Sequence, residues 1–164
     1  MKLLIQKNFL YANEIKFPCA IGKNGITKNK TEGDGCTPFG CYKFNKIYYR
    51  ADKLGDLKIN LNAETISSNY GWCDDPNSKF YNKLIKFPFP QSAEELYRDD
   101  DLYDIVCVID YNINPTQSGK GSAIFLHVAH EDYRGTEGCI ALNKRHLLQI
   151  VSKITTKTII DIRS

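Results

Sequence analysis

A chain of 164 residues, 42% hydrophobic and 25% charged, has the size and make-up of one globular domain with a core of its own. Its 22 Lys and Arg face 19 Asp and Glu, and a net charge of +3 with no basic run argues against a nucleic-acid partner. No apolar run is long enough to span a membrane. Ten Tyr and eight Phe favour strands, so the expected fold is mainly β with one or two helices.

Met1-Lys2-Leu3-Leu4-Ile5 opens like an export signal, but the apolar run stops at Gln6-Lys7 and no small-residue cleavage site follows. The expected location is the cytoplasm; a periplasmic one requires export by another route. Residues 2–12 and 14–22 are expected as strands, the first broken by a turn at Lys7-Asn8, and Asn24-Gly25 marks a tight turn. Thr31 to Pro38 is a loop by its glycines and proline, and residues 40–49 return to a strand rich in Tyr and Phe.

Residues 60–100 lack long apolar runs and carry turn chemistry at Asp74-Asp75-Pro76-Asn77, which predicts a long functional loop. Within it, Ser92 as a cap and Glu95 at the third position predict a short helix to Tyr97. Residues 104–111 and 123–129 are near-continuous apolar runs of the kind found in central strands. A helix is expected after Asn143 as N-cap, with Leu147, Leu148, Val151 and Ile154 on one face, and residues 158–162 close the chain as a strand. There is no internal repeat or linker, so residues 1–164 form a single domain.

The six cysteines, Cys19, Cys36, Cys41, Cys73, Cys107 and Cys139, are expected as thiols in a reducing compartment. Cys36 and Cys41 lack the second pair or nearby His that a zinc site needs, and Cys107 reads as a small buried hydrophobe. The chemistry concentrates further on. His127 lies in an apolar strand; a loop from His130 to Gly135 follows, then Thr136-Glu137-Gly138-Cys139. A strand and a loop that doubles back bring imidazole and thiol together.

A free thiol has a pKa of about 8.5, and lowering it by roughly 2 units needs about 3 kcal/mol of preferential thiolate stabilisation, which an adjacent imidazolium can supply. Gly138, lacking a Cβ, allows a sharp turn, and its N–H with that of Cys139 can point at the oxygen of a tetrahedral intermediate. From local physics alone His127 and Cys139 stand equally as core residues or as base and nucleophile.

Two segments carry a resemblance. Asp34-Gly35-Cys36-Thr37-Pro38-Phe39-Gly40 and, about a hundred residues later, Thr136-Glu137-Gly138-Cys139 resemble the paired motifs of the L,D-transpeptidase (YkuD-like) family. The resemblance implies a β-sandwich-like catalytic domain that needs no cofactor or metal. Cys139 would attack the carbonyl at the L-centre of diaminopimelate or lysine in a peptidoglycan stem tetrapeptide, with His127 as base and Gly138 beside the nucleophile. Terminal D-Ala leaves, and an amine or water resolves the thioester.

The sequence departs from the pattern where Glu137 replaces the usual His, where Ala141 replaces a frequent Asn or Arg, and in a short His-to-Cys separation. Small members without an export signal resemble cytoplasmic L,D-carboxypeptidases of peptidoglycan recycling, which act on soluble muropeptides. That is the expected activity; cross-linking transpeptidation and a non-catalytic muropeptide-binding module are the alternatives. A papain-like enzyme has its Cys before its His, the reverse of the order here.

Thr136, Trp72, Asp75, Tyr81 and Arg98 are the candidates for holding substrate, Arg98 through a carboxylate. Each has a structural reading beside it: Trp72 as a core anchor, Asp74 and Asp75 as turn residues, Arg98 paired with Asp99 to Asp101. His130 and His146 are expected at the surface, and a backbone carbonyl near Gly135 to Glu137 is expected to orient His127.

Overall fold

Buried Leu3 and Ile5 alternate with exposed Lys2 and Gln6 in β1 (Lys2–Gln6), a strand with one face in the core. The computed structural model describes residues 1–164, and its main sheet grows outwards from this strand. β2 (Phe9–Ala12) folds back after a turn in which Lys7 takes φ 53°, and β3 (Ile15–Ala20) continues the antiparallel meander. Short β4 (Ile26–Thr27) and β5 (Thr37–Pro38) pair in parallel and bracket the glycine-rich loop. After them come the long β6 (Gly40–Tyr49), the one-turn α1 (Ala51–Leu54) and β7 (Ala63–Thr65).

Next come β8 (Tyr70–Cys73), β9 (Leu84–Lys86) and β10 (Ala93–Glu95), then β11 (Ile105–Ile109), β12 (Phe125–Val128) and β13 (Ile140–Leu142). Helix α2 (Lys144–Val151) and β14 (Ile159–Arg163) complete the chain. The expectation of a mainly β fold holds. The nine-stranded sheet runs β11-β12-β13-β3-β2-β1-β14-β6-β7, and a further β6–β11 pairing closes it on itself. The first part of β6 pairs with β14 and the second with β11, so this one strand closes the sheet into a barrel.

Twenty-three buried residues fill the interior, among them Leu3, Ile47, Ile105, Leu126, Ile140 and Leu147. Helix α2 packs Leu147, Ile150 and Val151 into it, and the Asn143 side chain accepts from the Arg145 N–H at 2.9 Å, the cap expected from the sequence. Leu148 is only half-buried, and Ile154, though buried, lies beyond the helix.

Strands β11, β12 and β13 are buried on both faces, which is why they read as continuous apolar runs. Ile105, Cys107, Leu126, Val128, Ile140 and Leu142 face the barrel interior. Val106, Val108, Phe125 and Cys139 face outwards into a second cluster with Tyr48, Trp72, Leu96 and Tyr103. The cover over that outer face is a three-stranded sheet, β10-β8-β9.

Two expectations are corrected here. The segment 60–100 is not one long loop but carries the three strands of this covering sheet; they are only three or four residues long and depend on distant partners, so no periodicity marks them. The predicted helix from Ser92 to Tyr97 is instead β10, whose residues pair with Gly71, Trp72 and Cys73, a ladder that outweighs a single capping pattern in so short a stretch.

Candidate active site

Strand alternation puts the side chains of His127 and Cys139 on one face of the sheet. In the parallel register of β12 and β13, His127 lies opposite Ala141, so Cys139, two residues earlier, faces the same side of the sheet as a diagonal neighbour. Diagonal neighbours lie about 7–8 Å apart, within reach of a ring side chain. His127 is 6% exposed and Cys139 8%, and both line a cleft of about 450 Å³ between the barrel's outer face and the small sheet. Its walls include Glu32, Asp74, Glu94, Arg98 and Tyr103. A depression of about 730 Å³ around Lys28, Tyr42 and Lys120 shares no lining residue with it.

The resting pair is neutral. The Cys139 Sγ donates to the Ala123 carbonyl at 3.0 Å and accepts weakly from the Phe125 N–H at 3.4 Å. Burial pushes the Cys139 thiol well above its ordinary range, and the negative charge of Glu94 adds to that. Burial also pulls the His127 imidazole down to about 4, against the effect of the Val128 and Leu102 carbonyls. The imidazolium expected from the sequence is therefore not the resting state. Nδ1 meets the Val128 carbonyl at 2.8 Å, and Nε2 makes no hydrogen bond within the chain. Orientation comes from the Val128 carbonyl, not from the segment Gly135 to Glu137, because β12 carries its own carbonyl past the ring.

The first motif buttresses the second. Thr37, wholly buried, accepts from the Gly22 N–H at 2.8 Å and donates to the Gly138 carbonyl at 2.9 Å. Asp34 organises the loop, its Oδ1 accepting from the Cys36 N–H at 2.9 Å and its Oδ2 from the Thr31 N–H at 2.9 Å. The nearly buried Lys30 pairs with the same carboxylate at 2.5 Å. Gly138 has φ 137°, and a Cβ there would sit 2.8 Å from the Cys36 carbonyl oxygen, so a bare residue is required. Its N–H points to the Thr136 hydroxyl at 3.2 Å, whereas the Cys139 N–H has no partner within the chain. Of the two oxyanion donors expected, only that of Cys139 is free at rest.

The expected substrate residues divide. Thr136 lines the cleft, but its hydroxyl donates to the Cys139 carbonyl at 2.6 Å and so braces the loop. Arg98 lines it too, with its guanidinium gripped by Asp100 at 2.9 and 2.6 Å. Three residues fall outside the cleft lining. Trp72 is 5% exposed, packs edge-on to Phe125 and donates to Asn82 at 2.9 Å, the core anchor of the small sheet. Asp75 shapes a turn by accepting from the Asn77 N–H at 2.9 Å. Tyr81 is buried, with its hydroxyl donating to Glu32 and accepting from the Gly121 N–H at 3.0 Å.

Sequence reading missed Glu32, Glu94 and Tyr103 as cleft residues; Glu32 sits two residues before the first motif, and no motif or period marks Glu94 or Tyr103. His130 also lies at the cleft rim, bonded to Arg134 at 3.1 Å. Glu94 receives the Tyr103 hydroxyl. Burial and the neighbouring charges of Asp74 and Glu32 hold its carboxyl above the usual range, against the Tyr103 bond and the charge of Arg98.

Among curated proteins none matches the chain. A solved structure, the L,D-transpeptidase 1 of Mycobacterium tuberculosis, matches over 99% of this chain and 58% of its own length, at 10% identity and a TM-score of 0.44. The chain thus spans little more than half of that protein. The model of the YkuD family, described as the L,D-transpeptidase catalytic domain, matches residues 6–162. With nearly its whole length matched, the chain belongs to the L,D-transpeptidase catalytic domain family.

Proposed function

We propose that the chain is a cysteine acyl-enzyme that removes the terminal D-Ala of peptidoglycan stem tetrapeptides, an L,D-carboxypeptidase of soluble muropeptides. The observation that supports this most is the placement of Cys139 and His127 on one sheet face and in one cleft. On substrate entry the Cys139 proton passes to the free Nε2 of His127 and Sγ attacks the carbonyl at the L-centre of diaminopimelate. The Cys139 N–H receives the developing oxyanion. Collapse breaks the peptide bond, and the departing D-Ala amine takes the proton from His127. Water, deprotonated by the same imidazole, then adds to the thioester, and its breakdown returns the thiol and frees the tripeptide carboxylate.

The side arm of diaminopimelate carries an ammonium beside a carboxylate, and the ammonium is the part these walls suit. Glu94, Asp74 and Glu32 face the cleft against a single guanidinium that Asp100 already engages, so the cleft favours a cationic substrate group.

One residue favours water over an amine acceptor: Ala141 offers no donor opposite His127, whereas Glu137 at the rim is already paired with Lys23 at 2.6 Å. A cytoplasmic location belongs to the same proposal. Incubation with a muropeptide tetrapeptide, followed by mass analysis, tests it with Cys139→Ala as control. Tripeptide and free D-Ala are the expected products; a cross-linked dimer would make the enzyme a transpeptidase, and unchanged tetrapeptide would overturn both.

A further inference from the structure

Hydrogen bonding alone leaves the His127 ring incompletely held. The Val128 carbonyl at Nδ1 sets the tautomer, but the plane of the ring has to be set by what packs against it. That neighbour is Tyr103. The two rings stand perpendicular, at 90° with centroids 5.1 Å apart, and Tyr103 is itself edge-on to Phe125 at 6.0 Å.

Tyr103 has little freedom to turn. It is 6% exposed, and its hydroxyl donates to Glu94 on β10, in the covering sheet. The residue before it, Leu102, accepts from the Val128 N–H at 3.1 Å. The residue after it, Asp104, is wholly buried and paired with Lys53 at 2.9 Å and Lys144 at 2.6 Å. Three consecutive residues are thus each tied to a different part of the fold, and the middle one presses on the imidazole.

We infer that Tyr103 is the positioning residue of the base, and that Glu94 anchors it, so that a carboxylate facing the substrate also sets the angle of the His127 ring. The inference rests on the reading of His127 as the partner of Cys139. It goes beyond that reading in coupling the small sheet to the base: a substrate group drawn to Glu94 acts on the Tyr103 hydroxyl and through it on the imidazole.

The test uses the thiol itself and so does not depend on the substrate. Alkylation of Cys139 by iodoacetamide, followed across pH by peptide mass mapping, reports proton transfer to His127. Misplacing a catalytic group by about 1 Å costs up to about 100-fold, so Tyr103→Leu is expected to slow alkylation at pH 7 by about 10-fold, and Tyr103→Phe, which keeps the ring, by less than about 3-fold. In a His127→Ala background Tyr103→Leu is expected to have no further effect, the non-additivity of two residues acting through one another.

Equal slowing in both backgrounds, or none with His127 present, would overturn the positioning role. An alkylation rate indifferent to His127→Ala itself would instead bring down the Cys139–His127 pairing beneath it. Circular dichroism checks folding. Should Tyr103→Leu not fold, Glu94→Ala frees the ring without removing it and carries the same cycle; loss of its charge, which helps raise the Cys139 thiol, speeds alkylation alike in both backgrounds, so the quantity read is the difference between them, about 3-fold slower with His127 present than with His127→Ala.

Discussion

The Thr37 hydroxyl bridges two backbones, accepting from Gly22 and donating to the carbonyl of Gly138 across 101 residues of sequence. The loop that carries Cys139 is thus held by a residue of the first motif. Thr37→Val keeps the shape and removes the hydroxyl, leaving a buried N–H and a carbonyl without their partner. The expected loss is about 1–3 kcal/mol of stability, read by chemical denaturation, with turnover falling as the loop loosens.

Gly138→Ala should be harsher on activity than on folding. At φ 137° a side chain is strained, and its Cβ would press on the Cys36 carbonyl at 2.8 Å. The strain is expected to cost about 1–3 kcal/mol. The displaced Cys139 should lose at least about 10-fold in turnover, measured as D-Ala release.

The legible parts of this molecule are those whose signal is local. The runs around Ile105 and Phe125 read as central strands because both of their faces are buried, and Asn143 announces α2 by its own side chain. The proximity of His127 and Cys139 was legible as a strand followed by a loop that doubles back, and the register puts both on one sheet face. Their neutral resting state was not, because it comes from burial under a sheet whose strands are three or four residues long. Glu94 and Tyr103 meet only because β10 pairs with β8, a contact with no trace in periodicity. Trp72 and Tyr81 read as candidates for holding substrate, and residue type alone cannot separate an aromatic that lines a cleft from one that fills a core.

Trp72 therefore serves as a test of the cover. With 5% exposure and a hydrogen bond to Asn82, it anchors the small sheet on Phe125. Trp72→Ala should cost about 3–5 kcal/mol in denaturant unfolding. Trp72→Phe should retain most of that stability and leave KM unchanged, where a residue touching substrate would raise it.

Burial of neutral His127 makes stability depend on pH. Its folded pKa lies near 4, below the ordinary 6.5, so the unfolded chain binds this proton first on acidification. The contribution is fully present above pH 6.5 and is lost as pH falls towards 4, a change on the order of 3 kcal/mol. Glu94, with its carboxyl raised, works in the opposite direction at the acid end of this window. Denaturation midpoints at pH 7.5 and 5 should therefore fall further apart for the wild type than for His127→Gln, in which the histidine contribution is gone.

The central claim is that Cys139 carries the acyl group, and trapping that intermediate tests it most directly. Protein mixed with stem tetrapeptide, quenched in acid within one turnover and digested, should show the tripeptide acyl mass on the Cys139 peptide with D-Ala released in equal amount. His127→Ala should accumulate far less of it. An adduct on Cys36 or another thiol, or D-Ala release that persists in Cys139→Ala, would contradict the account.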